Sequence, residues 1–198
     1  MIIKTIIAGM YDENCYLVMD EDTKELGIID PGGQAKVIAE KVRNLGGKAK
    51  FILLTHGHSD HVDGVVDLMD ELNVPFYIHK AEEEFMQNDN YVFGSLPKTA
   101  EYLKEGDTLK LGKNTIKVIE TPGHTPGGIC FLINDKLFTG DTLFQGSIGR
   151  SDFPGGNGMK LVKNIKDKLI PLGDNIEVYP GHGGASTIGY EKRMNPFL

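Results

Sequence analysis

Hydrophobic residues open this chain in short alternating runs. Residues 2 to 8, 14 to 20 and 25 to 30 are apolar, β-branched stretches split by turn residues, and they predict a meander of antiparallel strands. The period changes at Gln34. Ile38, Val42 and Leu45 recur at helical spacing and Gly46-Gly47 supplies a stop, so an amphipathic helix is expected there. "AKFILLTHG" reads as a buried strand, and Val62, Val65, Val66, Met69 and Leu72 as one helix directly after it. "VPFYIH" is a further strand, Ala81 to Asn88 a short acidic helix, and Asn90 to Thr99 a loop carrying Tyr91, Phe93 and Pro97. Strand-like segments at 107 to 111, 115 to 120, 128 to 133 and 136 to 139 follow. A glycine-rich loop, a helix with Leu161, Ile165 and Leu169 on one face, and a last strand, "IEVYP", complete the pattern. Sheet, helices, sheet, helix in that order predicts two sheets packed face to face with helices outside.

Composition narrows the class. At 198 residues, with 40% hydrophobic and 25% charged residues, the chain fits an ordinary globular domain, and one domain over 1–198 is expected. The opening segment lacks a basic n-region and a continuous apolar core, and no apolar run approaches the roughly 20 residues that cross a bilayer. A cytoplasmic protein without membrane partners is the expectation. Cys15 and Cys130 lie in strand-like runs without CxxC spacing, so they read as core residues. A net charge of -7 argues against a nucleic-acid partner, which calls for a basic stripe.

Chemistry concentrates in "THGHSDH", which holds three of the six histidines. In extended backbone, residues two apart point the same way, so His56 and His58 can offer imidazoles to one metal across Gly57. Asp60 and His61 follow where the chain turns into a helix, and can serve a second, adjacent point. The helix N-terminus favours an ionised Asp60. Further ligands are available at three glycine-flanked strand ends: His124 in "TPGHTPG", Asp141 in "LFTGDTLF" and His182 in "YPGHGG". His79 lacks such a joint and reads as a surface or capping histidine. Asp30, in "IIDPGG", is a candidate to orient a ligand histidine or simply a turn residue.

HxHxDH followed by a separate His, an Asp and a final His resembles the ligand pattern of the metallo-β-lactamase superfamily. With "NCYLV", "IIDPGG", "TPGHTPG", "TGDTLF" and "YPGHG", the chain is similar to its glyoxalase II branch, the hydroxyacylglutathione hydrolases, from residue 14 to residue 184. The resemblance implies an α/β fold of the αββα sandwich type. It implies two divalent metals, most simply zinc, with iron or manganese as alternatives: His56, His58 and His124 on the first, Asp60, His61 and His182 on the second, and Asp141 bridging. The implied reaction is attack of a metal-bridging hydroxide, oriented by Asp60, on a small thioester such as S-D-lactoylglutathione. Glyoxalase II enzymes carry a C-terminal helical domain that helps hold glutathione. Here sixteen residues follow His182, so no such domain is expected. Arg150 stands where the family places a basic residue against a glutathione carboxylate, but Asp152 replaces an aromatic; an Arg150–Asp152 salt bridge is the competing reading. Tyr91, Phe93, Phe144 and Phe153 are candidate pocket aromatics. Oligomeric state is open.

"GRSDF" also resembles the loop of persulfide dioxygenases on this fold, which use one iron on positions matching His56, His124 and Asp141. That reading, hydrolysis of another ester or lactone, and a non-catalytic metal-binding module are the alternatives.

Overall fold

The computed structural model describes residues 1–87, 92–97 and 101–198. Strands β1 (Ile2–Ala8), β2 (Glu13–Met19) and β3 (Glu25–Ile29) form the antiparallel meander that their alternation predicts. Parallel neighbours need a crossover. Helix α1 (Ala35–Asn44) provides the one from β3 to β4 (Lys48–Leu53). Helices α2 (Ser59–Val62) and α3 (Val65–Leu72) provide the one from β4 to β5 (Phe76–His79). Helix α4 (Lys80–Met86) follows, and β6 (Tyr102–Leu103) closes a mixed sheet in the order β1-β2-β3-β4-β5-β6.

The second half builds another mixed sheet. It takes β7 (Thr108–Leu111), β8 (Asn114–Glu120), β9 (Ile129–Ile133) and β10 (Lys136–Gly140) as successive antiparallel neighbours. A small hairpin, β11 (Leu143–Phe144) and β12 (Ser147–Ile148), and helix α5 (Gly158–Asn164) lead to β13 (Glu177–Pro180), which joins β10 in parallel. β14 (Ser186–Thr187) and helix α6 (Ile188–Met194) complete the chain, giving the order β14-β13-β10-β9-β8-β7.

Strand periodicity sorts the core into layers. In β2, Tyr16 and Val18 face the second sheet with Phe131 and Phe138, whereas Cys15, Leu17 and Met19 face Ile38, Val42 and Leu68 of the helices. Every residue of β2 is buried, as a strand covered on both faces must be. On the other side, Cys130 and Leu137 pack against Leu161, Ile165 and Leu169. Each such apolar side chain contributes about 1.5–3 kcal/mol on burial. The result is the αββα sandwich anticipated from the pattern, with both cysteines buried and free.

Several boundaries differ from the pattern. The helix expected across Val62 to Leu72 is two helices, because the Gly64 N–H leaves the helical ladder for Pro31 O, 2.9 Å away. The helix after the glycine-rich loop widens into a π-type turn at Ile165–Leu169 and ends in a 3₁₀ turn at Ile170–Leu172, where Pro171 supplies no N–H. β6, β11, β12 and β14 have two residues each, too few to show a period. Asn88, Asn90, Tyr91 and Thr99 lie outside the described residues. No helix among the described residues is long and apolar enough to cross a membrane.

Candidate metal centre

The seven polar residues singled out above meet at one edge of the sandwich, each just past a strand or in α2. After β4 the chain bends at Thr55, and His58, extended at φ -65 and ψ 147, precedes α2. His56 Nε2 lies 3.1 Å from His58 Nδ1, which lies 3.0 Å from His124 Nε2 of the β8–β9 connection. Next to this triad are the ligand atoms of Asp60, His61 and His182, all within 4.8 Å of one another. Asp141, after β10, stands between the groups: Oδ1 is 3.3 Å from His61 Nε2 and 3.7 Å from His182 Nε2, while Oδ2 is 3.5 Å from His124 Nε2.

Outer hydrogen bonds decide which nitrogen each imidazole presents. His124 Nδ1–H donates to Arg150 O at 2.6 Å and His182 Nδ1–H to Tyr11 O at 3.1 Å, leaving each Nε2 facing inward. Asp30 does this twice. Its Oδ2 lies 3.1 Å from His61 Nδ1 and accepts the Thr55 hydroxyl at 2.6 Å, and that hydroxyl lies 3.0 Å from His56 Nδ1. With Thr55 N–H also on Oδ1 at 2.7 Å, both Asp30 oxygens are engaged, so it anchors one histidine of each group. It also holds the turn, at φ +48.

The loops are drawn together from strand starts. Asn14 donates from Nδ2 to Pro180 O at 3.0 Å and Gly183 O at 2.9 Å, and the Tyr16 hydroxyl donates to Pro180 O at 2.7 Å. "NCY" thereby holds "YPGHG". At Gly181 the approach excludes a side chain: a Cβ there would stand 2.4 Å from Asp141 Oδ1 and 2.6 Å from His61 Cε1.

Burial and charge set the protonation states. Burial pushes His56 and His124 below the usual imidazole range and His58 down to about 3, so all three are neutral at pH 7. In His61 burial is outweighed by the Asp141 and Asp30 carboxylates, which raise it. For Asp141, burial is likewise outweighed by His61, His124 and His182, which hold it ionised. Asp60, in the first turn of α2, is kept ionised against burial chiefly by His182, 3.3 Å away, and then by His61.

This donor set fits divalent cations. His58 Nδ1 lies 3.1 Å from His56 Nε2 and 3.0 Å from His124 Nε2, close to the roughly 3.3 Å edge of a tetrahedron with metal–nitrogen bonds of about 2.0 Å, and the three ligand atoms fall within 4.8 Å of one another. His61 Nε2 and Asp141 Oδ1 are both buried and face each other at 3.3 Å, the imidazole of raised pKa pairing with the ionised carboxylate. Two ionised carboxylates, Asp60 and Asp141, converging beside three neutral imidazoles are an arrangement that a cation stabilises.

A cavity of about 370 Å³ opens over the cluster, lined by Tyr11, Val92, Arg150 and Phe153 besides the polar residues. Phe153 stacks under the Arg150 guanidinium at 3.6 Å, and Asp152 fills the guanidinium fork, so the salt-bridge reading of Arg150 is what the structure contains. Phe93 is buried against the His58 ring at 4.8 Å, and Phe144 lies 6.2 Å from the His182 ring. His79 caps α4, accepting Ala81 N–H at 3.1 Å, and takes no part in the cluster. Four residues were not anticipated from the sequence: Tyr11 at the rim, Thr55 between Asp30 and His56, Glu13, fully buried 3.9 Å from His61 Nδ1, and Glu82, buried in the acidic helix. "KAEEE" looks like a solvated face, and only packing reveals otherwise.

The metallo-β-lactamase superfamily profile matches residues 8–182. Hydroxyacylglutathione hydrolase GloC of Haemophilus influenzae is 40% identical, over 100% of this chain and 98% of its own length. Among solved structures, the BLEG-1 B3 metallo-β-lactamase superposes with a TM-score of 0.91 at 34% identity, covering 100% of this chain and 99% of that one. TTHA1623 in a di-iron-bound form superposes with a TM-score of 0.88 at 33% identity, covering 98% and 100%. A match across most of the chain, with the same fold and a cluster of His and Asp able to hold metal ions, means that this protein belongs to the metallo-β-lactamase superfamily.

Proposed function

We propose that this protein is a dinuclear metallohydrolase acting on small thioesters of the hydroxyacylglutathione kind. The observation that carries the reading is Asp141, whose two oxygens face two different histidine groups. In it His56, His58 and His124 would hold one divalent ion, most simply zinc, Asp60, His61 and His182 would hold a second, and Asp141 would serve both. Such ions supply Lewis acidity for a carbonyl and bring the pKa of water from 15.7 to about 7. The thioester class is supported by the relative named a hydroxyacylglutathione hydrolase.

The chain's own groups supply position and charge. Asp60, ionised and at the cavity wall, accepts a hydrogen bond from the attacking water and aims it. Asp30 and the Arg150 and Tyr11 carbonyls hold four imidazoles in fixed tautomers, so little reorganisation accompanies the reaction. Arg150 at the cavity mouth receives an anionic end of the substrate. A departing thiolate needs little proton assistance, which favours thioesters over amides.

The test is turnover of S-D-lactoylglutathione by zinc-loaded and metal-free protein. A metal-dependent kcat/KM above roughly 10⁴ M⁻¹s⁻¹ supports the reading, and a fully loaded protein inert to thioesters sinks it. A second reading, one iron on His56, His124 and Asp141 with dioxygen chemistry, draws support from the "GRSDF" loop and from a donor set that suits ferrous iron. Iron content and oxygen uptake with a persulfide separate the two.

A further inference from the structure

We propose that Glu82 is a positioning residue for the first metal site, tying together the two loops that carry its three histidines. This rests on the reading that His56, His58 and His124 hold a metal. Glu82 is 0% exposed, in the first turn of α4. Its Oε2 accepts the N–H of Gly57, the residue between His56 and His58, at 2.9 Å. Its Oε1 accepts the N–H of Gly127, three residues past His124, at 2.5 Å.

The two loops come from different sheets. One leaves β4 of the first sheet, the other joins β8 to β9 of the second, and sheets packed face to face share no ladder. A backbone bond, Ile129 N–H to Thr55 O at 2.9 Å, links the loops at their base. Glu82 links them again beside the imidazoles. A carboxyl group suits the task because both of its oxygens can accept, whereas an amide would turn a donor towards one of the two N–H groups. The start of α4 is itself fixed, since His79 caps it and lies 3.1 Å from Glu120 Oε1 on β8. The bonds to Gly57 and Gly127 therefore set the approach of His58 Nδ1 to His124 Nε2, at 3.0 Å. Glu82 touches neither substrate nor metal; it acts through the two backbones.

The experiment is a competition titration of zinc between a chromophoric chelator and the whole protein, for wild type and Glu82→Gln, with folding followed by circular dichroism. One of the two zinc equivalents is expected to weaken by about 10- to 100-fold in Glu82→Gln, the range for removing an outer partner of a ligand. The other equivalent should change less, and excess zinc should restore turnover. Unchanged affinity for both equivalents overturns the proposal, even where the melting temperature drops. Should Glu82→Gln not fold, the wild type decides: amide protons of Gly57 and Gly127 must show the downfield NMR shifts of carboxyl-bonded donors in metal-free protein, and ordinary shifts overturn it. A wild type that binds no zinc removes the metal-centre reading and this proposal together, an outcome distinct from the failure of Glu82 alone.

Discussion

Arg150 donates two hydrogen bonds to Asp152, Nε to Oδ1 and Nη2 to Oδ2, each 2.8 Å long. The same fork is the group proposed to receive a substrate anion, so Asp152 competes with substrate for it. Both side chains are more than half exposed, and exposed pairs are weak and screened by salt. Asp152→Asn should lower KM for an anionic glutathione thioester a few-fold, while Arg150→Ala raises it, both with kcat nearly unchanged. Steady-state kinetics at low and high salt check this. Equal KM values in all three proteins would return Arg150 to the surface.

Asp141 faces both histidine groups, so its loss should disrupt two sites at once. Asp141→Asn is expected to retain fewer than two zinc equivalents and to lose more than about 100-fold in kcat/KM, beyond what losing an outer-shell partner does. Circular dichroism should show the fold intact. Elemental analysis and turnover settle it, and a variant with full zinc content and activity refutes the bridging role.

Asp30 anchors His61 directly and His56 through the Thr55 hydroxyl. Asp30→Asn turns an amide donor towards one of these groups. Zinc affinity should fall by at least about 10-fold, affecting both equivalents, in contrast to the one affected by Glu82→Gln. Identical titrations for the two variants would contradict the assignment of separate anchors.

Burial pushes the Glu82 carboxyl up to about 7, against the lowering effect of the Thr125 hydroxyl and of the Gly127 and Gly57 N–H groups. A raised carboxyl pKa favours the folded state below the unfolded value, near 4.3, and that contribution is lost as pH rises to about 7. Glutamine at this position does not titrate. In metal-free protein, wild type should therefore lose stability relative to Glu82→Gln by about 3 kcal/mol between pH 4.5 and pH 7.5. Urea unfolding of both proteins across that range measures it, and a constant difference would mean the carboxyl has an ordinary pKa.

Much of this protein is written locally. Short apolar, β-branched runs set apart the strands of both sheets, because both faces of a strand such as β2 are covered and its apolar residues are therefore contiguous. His56 and His58 could be paired from spacing alone, since extended backbone repeats every second residue. The glycine-flanked strand ends at His124, Asp141 and His182 marked where chain could turn towards a common edge. Tertiary structure alone decided which groups met there and in what state. Asp30 reaches His61 across 31 residues, and Glu82 reaches Gly57 and Gly127 across 25 and 45. A buried glutamate in "KAEEE" has the same local sequence as an exposed one, so its role comes from partners that only packing brings near. The break at Gly64 likewise depends on a hydrogen bond to distant chain, and strands of two residues are too short for local periodicity to encode. Spacing could nominate candidate ligands, but desolvation and the hydrogen bonds that fix each imidazole exist only once the two sheets have closed.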